Sequence, residues 1–287
     1  MKLALGSAQF GVDYGVSNRF GRVAPEMVQR VLSLAAELGI GTLDTAAAYG
    51  KCESILGANN LQPFNIVSKV IPRDRFKEPA RKWIRNSISE SLSNLNVSSL
   101  YALLLHRADD LLGDDAEIVY RELLSLKYEG FVKKVGVSVY TPEEVDKIFS
   151  RFKLDIVQAP MNIIDRRMQL SGCLERLKQA GVEVHIRSAF LQGLLLMEPN
   201  QRPSYFSPWQ GVLSNFDQWV KDNKLSKVEA CLGFLNSQNA IDRIVVGVQN
   251  TTQLHELALS ASLAKIEIPE YISSSDNYLI NPALWTI

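Results

Sequence analysis

Two hydrophobic rhythms alternate along the chain. Short β-type apolar runs alternate with longer stretches whose apolar positions recur every third or fourth residue. The first rhythm predicts strands and the second amphipathic helices. The strand-like runs are LALGSA (3–8), IGTLD (40–44), FNIVSK (64–69), SLYALLLH (99–106), VKKVGVS (132–138), LDIVQAP (154–160), VEVHIRS (182–188) and RIVVGV (243–248). Helical patterns cover 24–39, 77–95, 114–130, 141–152, 168–180, 211–222, 225–236 and 251–264. In 24–39, Met27, Val31, Leu34 and Leu38 share a face, Pro25 stands near the start and Gly39 provides the stop. In 141–152, Thr141, Pro142 and Glu144 form a capping-box pattern. SLYALLLH is apolar at nearly every position, as a parallel strand buried on both faces should be.

Eight strands in alternation with at least eight helices imply parallel strands joined by helical crossovers. Eight such units in this length predict an α/β fold, a single (β/α)8 TIM barrel spanning 1–287; a doubly wound open sheet is the runner-up. The stretch 189–210 reads as an insertion after the seventh strand, and the following helical segment is extra to the repeat. The tail, 265–287, with Pro269, a Ser-Ser-Ser run and Pro282, reads as irregular.

Composition narrows the function. The chain is 46% hydrophobic, too much for disorder. Its 31 basic residues balance 31 acidic ones, so no global field attracts nucleic acid or an anionic membrane. No apolar run approaches the roughly 18 residues of a membrane span. The opening MKLALGSAQFGVDYG is too poor in apolar residues to serve as a secretory signal. Three scattered cysteines, Cys52, Cys173 and Cys231, without a C-x-x-C, suit the reducing cytoplasm. Three histidines without ligand spacing disfavour a metal enzyme.

Polar residues fall where the apolar runs end. The second run ends in Asp44, the third in Lys69, the fourth in His106 and the fifth in Ser138; the sixth carries Gln158 and the seventh ends in Ser188. In a parallel barrel these ends share one rim, the rim where active sites form. Tyr49 stands on the turn just past Asp44. A tyrosine is a poor acid or base at neutral pH, and a nearby lysine ammonium is expected to lower its pKa. Asp44 can hold that ammonium, and His106 can hydrogen-bond a substrate oxygen. Such a set suits proton delivery to a carbonyl that receives a hydride.

In that order and at those strand ends, Asp44, Tyr49, Lys69 and His106 resemble the tetrad of the aldo-keto reductases. GIGTLDTAAAYG-x-x-E is similar to the family's D-T-A-x-x-Y-G-x-x-E block, and LALGSAQFG to its first-strand glycine motif. VKKVGVSVY, DIVQAPMNIIDRR, RSAFLQGLLL and VVGVQNTTQLHE resemble later blocks, so the likeness covers nearly the whole chain; the AQFG-x-DYG opening is closest to bacterial members.

The resemblance implies an NAD(P)H-dependent reduction of an aldehyde or ketone, a sugar or nucleotide-linked sugar among the options, with no metal. Tyr49 would donate the proton, Lys69 and Asp44 would tune it, and His106 would orient the carbonyl. Ser138 and Gln158 would hold the nicotinamide carboxamide. Ser188 and the loop Phe190, Leu191, Gln192 and Gly193 would line the pyrophosphate. Gly247, Gln249, Gln253 and Glu256 would lie at the adenosine end. Tyr14, Arg107 and Trp209 are expected beside a small-molecule carbonyl substrate; the assembly state is left open.

The sequence departs from the pattern at Val139, where the family has an amide, at Gln249-Asn250, where a basic residue is common, and at Leu257, where an asparagine is expected. With no lysine or arginine between Arg243 and Lys265, NADPH is expected as cofactor but with only a modest preference over NADH. Arg73, Arg107, Arg166, Arg167 and Arg187, all near strand ends, are candidates for binding a phosphorylated or nucleotide-linked substrate. The alternative to an enzyme is a barrel that binds the cofactor without catalysis.

Overall fold

The computed structural model describes residues 2–73, 78–261 and 266–287. Eight parallel strands close into a barrel in sequential order: β1 Leu3–Gly6, β2 Thr42–Asp44, β3 Asn65–Val70, β4 Leu100–Leu105, β5 Val132–Ser138, β6 Ile156–Pro160, β7 Glu183–Arg187 and β8 Arg243–Gly247. β1 pairs with both β2 and β8, which closes the ring. The fold is the (β/α)8 barrel expected from the alternation, not an open sheet.

Twelve α-helices lie among the described residues: α1 Ala8–Gly11, α2 Pro25–Glu37, α3 Cys52–Gly57, α4 Ala80–Leu95, α5 Ala116–Tyr128, α6 Pro142–Phe149, α7 Arg167–Leu170, α8 Cys173–Gln179, α9 Gln210–Asp222, α10 Lys227–Ser237, α11 Thr251–Ser260 and α12 Asn277–Ile280. The pattern at 168–180 is two helices, α7 and α8, broken at Ser171–Gly172. The capping box of α6 is formed as the spacing predicted. LALGSA is strand only as far as Gly6; Ala8 already starts a helical turn. Lys77, the ends of the pattern at 262–264, and Lys265 lie outside the described residues.

The alternation of each strand divides the core. Leu5, Leu43, Val135, Val157, Ile186 and Ile244 belong to the large cluster between the barrel and its helices. Val67, Ala102, Leu104 and Ile156 form a separate small cluster inside the barrel. Near the strand starts, Glu183 accepts from the Tyr101 hydroxyl at 2.7 Å, contacts the His185 ring nitrogen at 2.7 Å and pairs with Lys134. Near the strand ends the inward positions are polar, and a cleft opens there.

The insertion 189–210 is a chain of 3-10 turns. Its aromatics dock on the tail: the Tyr205 hydroxyl donates to the Tyr278 carbonyl at 2.9 Å, and Phe206 meets Trp285 edge-on at 4.8 Å. The tail is therefore less irregular than its sequence suggests, with α12 and two further 3-10 turns.

Candidate active site

The chain leaving β2 keeps running beside β3, with Thr45 N bonded to Val67 O at 2.8 Å and Ala47 N to Lys69 O at 3.1 Å. This brings the Asp44 and Lys69 side chains face to face. Lys69 Nζ lies 2.7 Å from Asp44 Oδ1 and donates to Thr45 O at 2.9 Å, and both side chains are almost wholly buried. Gln158 Nε2 donates to the other carboxylate oxygen, Asp44 Oδ2, at 2.6 Å. With partners on both oxygens, the buried charge is hydrogen-bonded as burial requires.

Tyr49 sits on the turn that follows. Its amide bonds to Ala46 O at 3.0 Å, and its carbonyl accepts from Cys52 N at 3.1 Å. Lys69 Nζ is 5.4 Å from the Tyr49 ring centroid, and the His106 ring meets it edge-on at 6.0 Å. The close approach depends on Gly11: a Cβ there would stand 1.8 Å from Tyr49 O. Behind the set, Ser68 Oγ donates at 2.6 Å to buried Glu53, the glutamate of the Y-G-x-x-E block, whose carboxyl burial pushes upward. The sequence reading had assigned Glu53 no role.

Burial pushes the Tyr49 phenol well above its ordinary value near 10; the Asp44 charge adds to this, and the Arg187 guanidinium opposes it. The direction is opposite to the one expected from a neighbouring lysine. Burial is the largest cause and the Asp44 carboxylate works in the same sense, so together they outweigh any lowering by a neighbouring cation. The cation that does favour ionisation, Arg187, was not among the expected partners of Tyr49.

The cleft encloses about 830 Å³. Asp44, Tyr49, Gln158 and Tyr14 line its inner end; Ser188, Phe190, Gln192 and Gly193 line one wall; and Gly247, Gln249, Gln253 and Glu256 line the far end. Lys69, His106, Ser138 and Leu191 are not among the lining residues; Lys69 and His106 adjoin the cleft at Tyr49. A strap from the β1 loop crosses the mouth: Val16 N bonds to Gln192 O at 3.0 Å, and Gln249 Nε2 donates to Asn18 Oδ1 at 2.5 Å. The wall after β7 is bent tightly. Ser188, Leu191, Gln192 and Gly193 all have positive φ, and a Cβ on Gly193 would strike Ser17 Oγ at 1.9 Å. Such strain persists only where the surroundings hold it, and it recurs at ligand clamps.

Two expected substrate residues lie elsewhere. Trp209 donates its indole N–H to Asp276 at 2.9 Å and packs on Tyr205, so the aromatic segment forms a satellite core with the tail and leaves the cleft. Arg107 is exposed just beyond β4, where the chain turns into a 3-10 helix, and does not line the cleft. The lining also holds cations that the local sequence lacked: α9 and α10 bring Lys221 and Lys227 into it. Lys227 Nζ donates to Met197 O at 2.6 Å and lies 3.3 Å from Glu198 and 3.5 Å from Asp217. Asn250 caps α11, and Gln253 Oε1 accepts from Gln249 N at 2.8 Å. Among the described residues, no group of three or more His, Cys, Asp or Glu is placed to hold a metal ion. No described helix is long and apolar enough to cross a membrane.

A polar set at the carboxyl ends of a closed parallel barrel, opening into a cleft, is where (β/α)8 enzymes carry their active sites. The sequence profile of the Aldo/keto reductase family matches residues 2–271, and the chain belongs to that family. It is 24% identical over 256 residues to the oxidoreductase YqkF of Bacillus subtilis (strain 168), covering 82% of each chain. It is 27% identical over 202 residues to the L-glyceraldehyde 3-phosphate reductase of Escherichia coli (strain K12), covering 63% of this chain and 58% of that one. An aldo-keto reductase from Bacillus halodurans in its holo form superposes with a TM-score of 0.76 at 19% identity, covering 93% of this chain and 88% of that chain, a likeness of fold.

Proposed function

We propose that the protein reduces an aldehyde or ketone to an alcohol with NAD(P)H, with Tyr49 as proton donor. The observation that carries this is the junction of Tyr49 with the buried Lys69–Asp44 pair and His106 at the inner end of the cleft. The nicotinamide cofactor supplies the hydride that reaches the carbonyl carbon. Tyr49 Oη gives its proton to the carbonyl oxygen as negative charge develops there. A phenol held above its ordinary value keeps that proton at neutral pH, so it serves as a donor without prior protonation. His106 orients the carbonyl oxygen. Lys69, fixed by Asp44 and Thr45 O, offers positive charge to the phenolate that forms.

The cleft fits the cofactor. Gln158 spends its amide N–H on Asp44 and keeps its Oε1 for the carboxamide, beside Ser138. The positive-φ loop from Ser188 to Gly193 forms the pyrophosphate wall. Gln249, Gln253 and Glu256 flank the adenosine end, and Lys221 and Lys227 supply charged donors there for a 2′-phosphate. NADPH is accordingly the better cofactor. The substrate class that suits the polar inner end is a small polar carbonyl compound such as a sugar aldehyde; the Escherichia coli relative is named for a phosphorylated triose.

Tyr49→Phe keeps the ring and removes only the proton. Carbonyl reduction is expected to fall at least about 100-fold, the scale of a lost general acid, with cofactor affinity within a few-fold. Steady-state assays beside cofactor titrations test this; a variant that keeps wild-type turnover overturns the assignment.

A further inference from the structure

Five arginines stand near strand ends, and the fold sorts them. Arg73 pairs with Asp115. Arg166 donates to the carbonyls of Ile163, Ile268 and Pro269. Arg167 forks onto Asp165 at 2.9 Å through both Nε and Nη2. Arg107 is exposed beyond β4. Only Arg187 of the five lines the cleft. It is the last residue of β7, two positions beyond buried His185, so strand alternation sends it inward to the cleft that holds Tyr49.

The geometry around Arg187 fixes its plane and leaves donors over. Its guanidinium stacks 4.3 Å above the Tyr140 ring. Nη2 donates to Val139 O at 3.1 Å, and Nη1 makes a long contact of 3.5 Å with Ser188 Oγ. A guanidinium carries five N–H donors, so three remain. Among the described residues, no acidic side chain lies within ion-pairing distance of it. A half-buried, rigid cation without a counter-ion, in a cleft and beside the reacting phenol, is costly unless a ligand completes it.

We infer that Arg187 recognises an anionic group, a carboxylate or phosphate, carried by the carbonyl substrate itself, so that the enzyme selects charged aldehydes or ketones over neutral ones of equal size. This rests on the carbonyl-reductase reading. A planar fork matches the paired oxygens of either anion and binds them in a fixed orientation. With the anion at Arg187, the carbonyl of a short substrate falls toward Tyr49, because both side chains line the cleft and the guanidinium is near enough for its charge to act on the phenol. Arg187 is thereby a specificity residue, set apart from the lysines of α9 and α10.

The test compares matched pairs with NADPH in excess: glyceraldehyde 3-phosphate against glyceraldehyde, and succinate semialdehyde against butanal. The wild type is expected to favour the charged member of at least one pair by about 100-fold in kcat/KM, the usual scale of a charge-assisted contact. The pair that shows the preference tells phosphate from carboxylate. Arg187→Leu should bring that ratio to near one, mainly by raising KM of the charged substrate. Arg187→Lys should keep part of it, and thermal melts of both variants check that they fold.

Four outcomes overturn the inference. A wild type that turns over the neutral aldehydes without a charge preference removes Arg187 from substrate recognition and leaves the reductase reading standing. A ratio unchanged in both variants does the same. An NADPH affinity that falls in Arg187→Leu as far as the charged-substrate kcat/KM assigns the arginine to the cofactor. No turnover of any of the four aldehydes ends the reductase reading, and this inference with it.

Discussion

At the scale of single residues, the proposed chemistry turns on the environment of Tyr49. Its phenol is pushed up by burial and by Asp44, and Arg187 opposes. The sign of the pH dependence follows. The donor is protonated at neutral pH and stays so until pH passes the raised value, so reduction should show no falling limb from Tyr49 up to the ordinary tyrosine range near 10. Alcohol oxidation needs the phenolate and should rise with pH over the same range. Rate profiles of kcat/KM in both directions read this; a reductive rate that falls through neutrality with a tyrosine-dependent limb would show that the bound state lowers the phenol. The neighbourhood of Tyr49 was legible in sequence as residue types: acid, lysine and histidine at successive strand ends. The direction of the shift was not, because it depends on how deeply the folded chain buries the phenol and on which charges the closed barrel brings to it.

At the scale of elements, the first β–α loop is as much a part of the site as the strands. The turn carrying Tyr49 rests on Gly11 with no space for a methyl group. The obstacle is a backbone oxygen, which cannot rotate aside as a side chain does. Gly11→Ala should therefore destabilise by about 1–3 kcal/mol, the usual range for overpacking, and also lower the reduction rate by displacing Tyr49. Denaturant midpoints and rates on the same preparation test both halves; a rate loss without a stability loss would separate the loop from the turn. The insertion after β7 is a different lesson. PSYFSPWQG suggested aromatics in the cleft, yet Tyr205, Phe206 and Trp209 are held by Tyr278, Trp285 and Asp276 of the tail. An aromatic-rich loop reads the same in sequence whether it closes over a ligand or over its own chain, and only the path of the tail distinguishes the two.

At the scale of the whole molecule, the barrel keeps charge at both ends, with different consequences. In the cleft lining, Lys221 and Lys227 approach from α9 and α10. Replacing both with methionine should weaken NADPH binding by about 10-fold or more relative to NADH, since a charge-assisted hydrogen bond to phosphate is worth roughly 1.5–3 kcal/mol. Parallel titrations decide, and equal losses for both cofactors would move the lysines away from the 2′-phosphate. At the base, burial works against the Glu183 charge, but hydrogen bonds from His185, Lys134 and Tyr101 outweigh it and hold the carboxyl below its ordinary range. A depressed carboxyl contributes stability above its unfolded value, about 4.3, and loses that contribution as pH falls toward the folded value. Glu183→Gln should thus lower the melting temperature at pH 7 and flatten its decline below about pH 4.3. An acid limb as steep as in the wild type would place the sensitivity elsewhere.

The sequence alone determined the eightfold alternation, the parallel barrel and the rim on which Asp44, Tyr49, Lys69 and His106 converge, because strand and helix periods are local and a parallel barrel puts every strand end on one face. Tertiary structure alone decided which cations reach the cleft. Arg187 stood in the sequence as one of five arginines near strand ends with nothing to single it out; the structure ends β7 at Arg187, turns Ser188 into a positive-φ bend and puts Arg187 alone of the five in the cleft lining. Lys221 and Lys227 lie more than twenty residues before Gln249, so no local window joins these residues of one lining. Their place in one lining depends on closure of β8 against β1 and on the packing of α10 against α9 and α11, and contacts between distant segments are set by the shape of the closed barrel, not by the periodicity of any one stretch.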